Sequence, residues 1–119
     1  MFDHEKLDVY NLSLEFVAWT YRLCKGLKGF ERHGRDQILR AAQSITQNIA
    51  EGNGKSSGPD RKRYFEIARG SALECASILD FFLVCESLSE KEIIPGKEKL
   101  LRIVKMQSKM AIIKSSKTN

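Results

Sequence analysis

Proline is scarce in this chain: Pro59 and Pro95 are the only two in 119 residues. Each lies beside a glycine near an expected helix boundary, and β-branched residues are rarely clustered, so an all-α fold is the economical reading. Long apolar runs are missing as well. No stretch is long enough to span a bilayer, and the charged opening Met1-Phe2-Asp3-His4-Glu5-Lys6 lacks the apolar centre of a secretory signal. A cytoplasmic protein with no membrane partner is expected.

Catalytic and metal-binding residue types are equally thin. The two histidines, His4 and His33, fall at opposite ends of the first expected helix, and no pair among Cys24, Cys75 and Cys85 has metal-site spacing. An odd number of cysteines at apolar positions suits buried reduced thiols better than a disulfide framework. Gly54-Lys55-Ser56 invites comparison with a phosphate-binding loop, but Ile49 stands where that motif needs its first glycine, and the turn follows a helix instead of a strand. Ser71 has no histidine placed to activate it, and Glu51, Glu66 and Glu74 have no accompanying pocket chemistry. No catalytic residue, metal or cofactor is expected, and the chain is read as a non-enzyme.

What is present is 42% hydrophobic and 29% charged residues, the proportions of one compact domain. Apolar periodicity predicts helices near residues 7–28, 36–52, 59–88 and 97–113, with a disordered polar tail over 114–119. Short connections between them predict an antiparallel up-down-up-down four-helix bundle. In the first helix two stripes share a seven-residue period. Leu7, Tyr10, Leu14, Val17, Tyr21 and Cys24 form one, and Val9, Leu12, Phe16, Trp19 and Leu23 the other. A bundle helix needs one apolar face, so the second stripe is read as an oligomer interface, with a single wide buried face as the alternative.

The second helix carries Ile38, Ala42, Ile45 and Ile49 beside a line of Gln37, Ala41, Ser44, Asn48 and Glu51. Gly52 and Gly54 are expected to end it through positive φ angles. In an antiparallel hairpin, Ala41 and Ser44 would face Ser71 and Ala68 on the third helix, permitting close approach and hydroxyl bonding across the gap. The inner face of that third helix is read as Tyr64, Ala68, Ser71, Cys75, Ile78, Phe82 and Cys85. Ser89-Glu90-Lys91-Glu92 has the form of a capping box, but Pro95-Gly96 is expected to interrupt it and delay the fourth helix. That helix should bury Leu100, Ile103, Val104, Met110 and Ile113.

The net charge of +5 permits nucleic-acid binding without requiring it, so the distribution of charge decides. Lys55, Arg61, Lys62 and Arg63 share one end of such a bundle with Lys109, Lys114 and Lys117, and Tyr64 stands among them as a stacking group. Convergence of cations from separate helices suits a phosphate backbone. The competing reading is a solvated helix start and a loose basic tail.

The segment Gln37-Ile38-Leu39-Arg40-Ala41-Ala42-Gln43-Ser44-Ile45-Thr46-Gln47-Asn48-Ile49-Ala50-Glu51-Gly52, followed by Arg63-Tyr64-Phe65-Glu66-Ile67-Ala68-Arg69-Gly70-Ser71-Ala72-Leu73-Glu74, resembles the signature of the four-helix bundle family encoded in intervening sequences of bacterial 23S ribosomal RNA genes. Leu7-Asp8-Val9-Tyr10 is similar to that family's opening. The resemblance implies a cytosolic bacterial bundle without catalytic residues. It also implies a ring-shaped homopentamer, and a related branch, the accessory variability determinant of diversity-generating retroelements, binds nucleic acid and a reverse transcriptase. A homo-oligomeric binder of structured RNA or DNA is therefore expected, with a scaffold that recruits a protein partner as the alternative.

Overall fold

The computed structural model describes residues 1–117, and its described side chains are those of residues 1–29 and 31–112. Four helices, α1 (Asp8–Cys24), α2 (Arg32–Gly54), α3 (Gly58–Val84) and α4 (Glu90–Lys117), follow one another with no strand among the described residues. Single 3₁₀ turns at Asp3–Lys6 and Gly29–Glu31 precede α1 and α2. Connections of a few residues leave each helix no choice but to return beside its predecessor. The result is an antiparallel four-helix bundle measuring 48 × 27 × 21 Å.

The α2–α3 hairpin is drawn together by small side chains. Ser44 and Ser71 share a hydroxyl hydrogen bond of 2.8 Å across the gap, while Ala41, Ala68 and Ala72 are buried around it. Asn48 turns back to its own helix, donating to the Ser44 carbonyl at 2.8 Å and to its hydroxyl at 3.1 Å. On α3 the fully buried side chains are Phe65, Ala68, Ala72, Cys75 and Leu79. The buried face is thus rotated by part of a turn from the expected one, with Tyr64 and Ser71 at its margin and Cys85 exposed.

The second stripe of α1 is part of the core, so the interface expected on it is corrected. Val9, Leu12 and Phe16 are buried within the single chain, and Trp19 and Leu23 pack half-buried against them. The Trp19 ring lies on Phe16, 5.7 Å between centroids, and its far edge rests against α4 at Gly96. A β-carbon at Gly96 would overlap that ring. The wide buried face is the arrangement adopted, because α4 covers the side of α1 that α2 leaves open.

α4 begins earlier than expected, at Glu90. The capping box is formed: Ser89 N–H donates to the Glu92 carboxylate at 2.8 Å, and Glu92 N–H to the Ser89 hydroxyl at 3.2 Å. The bond from Ser89 N–H, with a smaller contribution from the Ser89 hydroxyl, holds the Glu92 carboxyl below its ordinary pKa. Pro95 lies inside the helix, where it removes one backbone bond, but Ile93 and Leu100 on either side are buried and keep the turn in place. The tail expected from Lys114 overlaps the last turn of α4, where the side chains lie outside the described residues, as do 118 and 119 altogether.

Other boundaries shift for similar reasons. Gly34 and Gly52 both lie within α2, and neither has a positive φ. A β-carbon at Gly52 would approach Phe65 Cε1 to 2.7 Å, and one at Gly34 would approach Phe82 Cε1 to 2.9 Å. These glycines admit aromatic rings from α3 and do not stop the helix. α3 ends before the expected 88 because Glu86 takes φ +60°, letting the N–H groups of Ser87 and Leu88 bond back to the Phe82 carbonyl at 2.9 and 3.2 Å.

Candidate nucleic-acid interface

The α2–α3 turn assembles the basic cluster. Ser57 caps α3, its hydroxyl accepting from Asp60 N–H at 3.2 Å, and Pro59 occupies the first turn where its missing N–H costs nothing. One turn further, Arg61 reaches back over the end of α2. Its Nη1 donates to the carbonyls of Asn53 at 2.8 Å and Lys55 at 3.1 Å, and its guanidinium lies 5.5 Å from the Phe65 ring. Arg61 therefore satisfies carbonyls that α2 leaves open and offsets the negative end of that helix. This structural engagement takes it out of the set facing solvent.

Tyr64 carries two other cations. The Arg63 guanidinium is 4.7 Å from its ring centroid, and the Lys55 ammonium, arriving from the end of α2, is 5.2 Å away. Lys55 also pairs with Glu51 at 3.7 Å, and Lys62 with Glu66 at 3.9 Å. Such exposed i,i+4 pairs are worth only about 0.3–0.5 kcal/mol, so they leave both lysines able to turn to a phosphate. Lys109 is exposed on α4 as that helix returns to this end of the bundle. The Lys114 side chain lies outside the described residues.

Sequence reasoning missed a neighbouring group. Phe2, His4 and Tyr10 form a short aromatic series, with Phe2 parallel to His4 at 5.7 Å and His4 edge-on to Tyr10 at 4.7 Å. His4 and Lys55 line one cleft of about 240 Å³ together with Ala50, Glu51 and Gly54. The only signal for it was three rings, Phe2, His4 and Tyr10, within the first ten residues.

The opposite end of the molecule carries an exposed apolar patch. Phe81 and Val84 are 66% and 78% exposed, beside a cleft of about 470 Å³ floored by Ile78, Phe81 and Phe82 and rimmed by Glu31, His33 and Gln37. The residues weighed for chemistry are dispersed. Ser71 is bonded to Ser44, and Glu51, Glu66 and Glu74 are exposed on different helix surfaces. Burial pushes the Cys24 thiol up to about 11 and the Cys75 thiol up to about 12, so both stay protonated and inert at neutral pH. No group of three or more metal-ligating side chains is placed to hold an ion among the described residues, and no described helix is long and apolar enough to cross a membrane.

A sequence model of the 23S rRNA-intervening sequence protein family matches residues 5–109. The chain belongs to that family. Its fold is similar to the crystal structure of a protein of unknown function from the S23 ribosomal protein family of Bacteroides thetaiotaomicron VPI-5482, with a TM-score of 0.79 and 25% sequence identity over 87% of this chain and 97% of that one. No curated protein gives a significant match. The family match includes Lys55, Arg63, Tyr64 and Lys109, but not Phe2, His4 or Lys114.

Proposed function

We propose that this chain is a non-enzymatic, homo-oligomeric protein of the cytoplasm that binds structured RNA or DNA through backbone phosphates. The observation that carries the reading is the pair of cations on Tyr64, one from each side of the α2–α3 turn. Both are held on a tight hairpin, so little side-chain freedom is lost when a phosphate replaces water. Lys62 and Lys109 extend the positive surface. Repetition of the cluster around an oligomer would raise its effective concentration at one strand of nucleic acid.

Binding of labelled RNA and DNA should fall steeply with added salt, because each contact to a phosphate releases a counterion. Combining Lys55→Glu with Arg63→Glu should lower affinity about a hundredfold at low salt, and reduce the slope of log affinity against log salt by about two. Unchanged binding in that variant would remove this face from consideration, and absence of salt-sensitive binding in the unmodified protein would remove the reading.

A second reading, a scaffold that recruits a protein partner, is favoured by Phe81 and Val84, whose exposure at the far end has no counterpart in phosphate binding. Co-purification that survives nuclease digestion separates it from the first.

A further inference from the structure

We infer that the basic end engages unpaired nucleotides, with Phe2 and His4 as the platform on which a base stacks. This rests on the proposed nucleic-acid reading and names the kind of strand it takes. The aromatic pair is fixed in place although it is outside the core. Phe2 is 73% exposed, its ring lying parallel to His4 with the centroids offset at 5.7 Å, so most of it meets water. Its backbone is held by the bond from Phe2 N–H to the Glu5 carboxylate, and the turn that follows is tied to α2 by the bond from Asn53 Nδ2 to the Asp3 carboxylate at 2.9 Å. Asn11 adds a bond from its side-chain amide to the Glu5 carbonyl at 3.0 Å. An apolar ring presented to solvent from a tethered turn on a charged surface contributes little to folding, but it has the properties of a stacking surface.

The surroundings specify the rest of the ligand. The cleft of about 240 Å³ beside His4 is smaller than the roughly 300–1,000 Å³ of sites that enclose a whole small molecule, and suits one planar group open at its edge. Glu51 in its wall repels a phosphate, yet its carboxylate can accept from the exocyclic amine of a base. Lys55, in the same wall, faces the backbone of the strand and leads to Tyr64 and Arg63. Aromatic and cationic groups therefore alternate along this end, from Phe2 and His4 through Lys55 and Tyr64 to Arg63. Paired bases inside a duplex cannot reach such rings, whereas bases of a loop or single strand can.

The test uses fluorescence anisotropy with short labelled oligonucleotides, single-stranded RNA and single-stranded DNA in separate arms, and duplexes of the same sequences. Single strands should bind more tightly than duplexes, and Phe2→Ala should weaken single-strand binding about tenfold while leaving duplex binding unchanged. Phe2→Trp should restore it. Phe2 is exposed, so an unaltered circular dichroism spectrum is expected for each variant. A preference confined to the RNA arm would assign the ligand as unpaired RNA, and equal arms would assign it as any unpaired strand. If binding is salt-sensitive and lost in the Lys55→Glu, Arg63→Glu variant but indifferent to Phe2→Ala, the stacking inference fails and the backbone reading stands. If neither strand form binds, both are overturned.

Discussion

Both ends of this bundle contain a helix hairpin closed by a few residues, yet they expose opposite surfaces. At the α2–α3 turn the rings of Tyr64 and Phe65 lie under guanidinium and ammonium groups. At the α3–α4 turn Phe81 and Val84 stand uncovered beside an apolar cleft. The difference comes from what each helix end does with its aromatics. Near its start α3 carries Arg61, Lys62 and Arg63, whose long side chains can fold over a ring. Its last turns carry Phe81-Phe82-Leu83-Val84 with no cation among them. One end is suited to a polyanion, the other to an apolar protein surface, and a single small domain can serve both.

The sharpest way to break this comparison is to charge the apolar end. If the proposed homo-oligomer closes through the exposed Phe81 and Val84 side chains, Phe81→Asp combined with Val84→Asp should raise its dissociation constant about a hundredfold or more, since buried aromatic anchors dominate interface energetics. Light scattering should then report monomers that retain their helical spectrum, because both side chains are exposed in the single chain. Affinity of each protomer for a short oligonucleotide should hold. An unchanged assembly would place the interface elsewhere, and loss of nucleic-acid binding in the monomer would show that the two ends do not act separately.

A smaller effect compares the ends through their glycines. Gly52→Ala and Gly34→Ala each insert a methyl group against a buried ring, Phe65 at one end and Phe82 at the other. Overpacking costs about 1–3 kcal/mol, and the better helix propensity of alanine offsets about 1 kcal/mol of that. Urea unfolding should therefore show each variant less stable by up to about 2 kcal/mol. Only Gly52→Ala should also weaken nucleic-acid binding, because the same β-carbon would come within 3.1 Å of Tyr64 Cβ. A gain in stability at either site would mean that its ring has room to move.

The same glycines mark what could and could not be read from the sequence. The bundle, its order and the Ser44–Ser71 contact were legible because they follow from periodicity and short connections, which are local. Gly52 and Gly96 were misread as breaks, since nothing local distinguishes a glycine that ends a helix from one that admits a ring from another helix. Glu86 shows the converse: α3 ends in a left-handed residue that is not glycine, so the usual signal was missing. The stripe from Val9 to Leu23 was misassigned because an interface and a wide core face have the same period. Only the position of α4 over Trp19 separates them. At the basic end the cations were legible as a group, but their individual roles depend on which carbonyl or ring each one reaches.

That last point gives the finest contrast, between two arginines at the same end, Arg61 and Arg63, separated by Lys62 alone. Arg61→Ala removes two hydrogen bonds to the carbonyls that close α2, one to Asn53 and one to Lys55. Charge-assisted bonds contribute about 1.5–3 kcal/mol when buried, and half-exposure reduces this to about 1 kcal/mol, or a fall of about 4 °C in melting temperature for a domain of this size. Arg63→Ala deletes the same charge from a side chain that, among the described residues, meets a ring face and makes no hydrogen bond, and should leave melting unchanged while weakening oligonucleotide binding. If both variants lower binding equally and melting not at all, Arg61 belongs with the phosphate-facing cations after all. If they separate, net charge is only part of what makes this end basic, and the geometry of the turn decides which cations are presented.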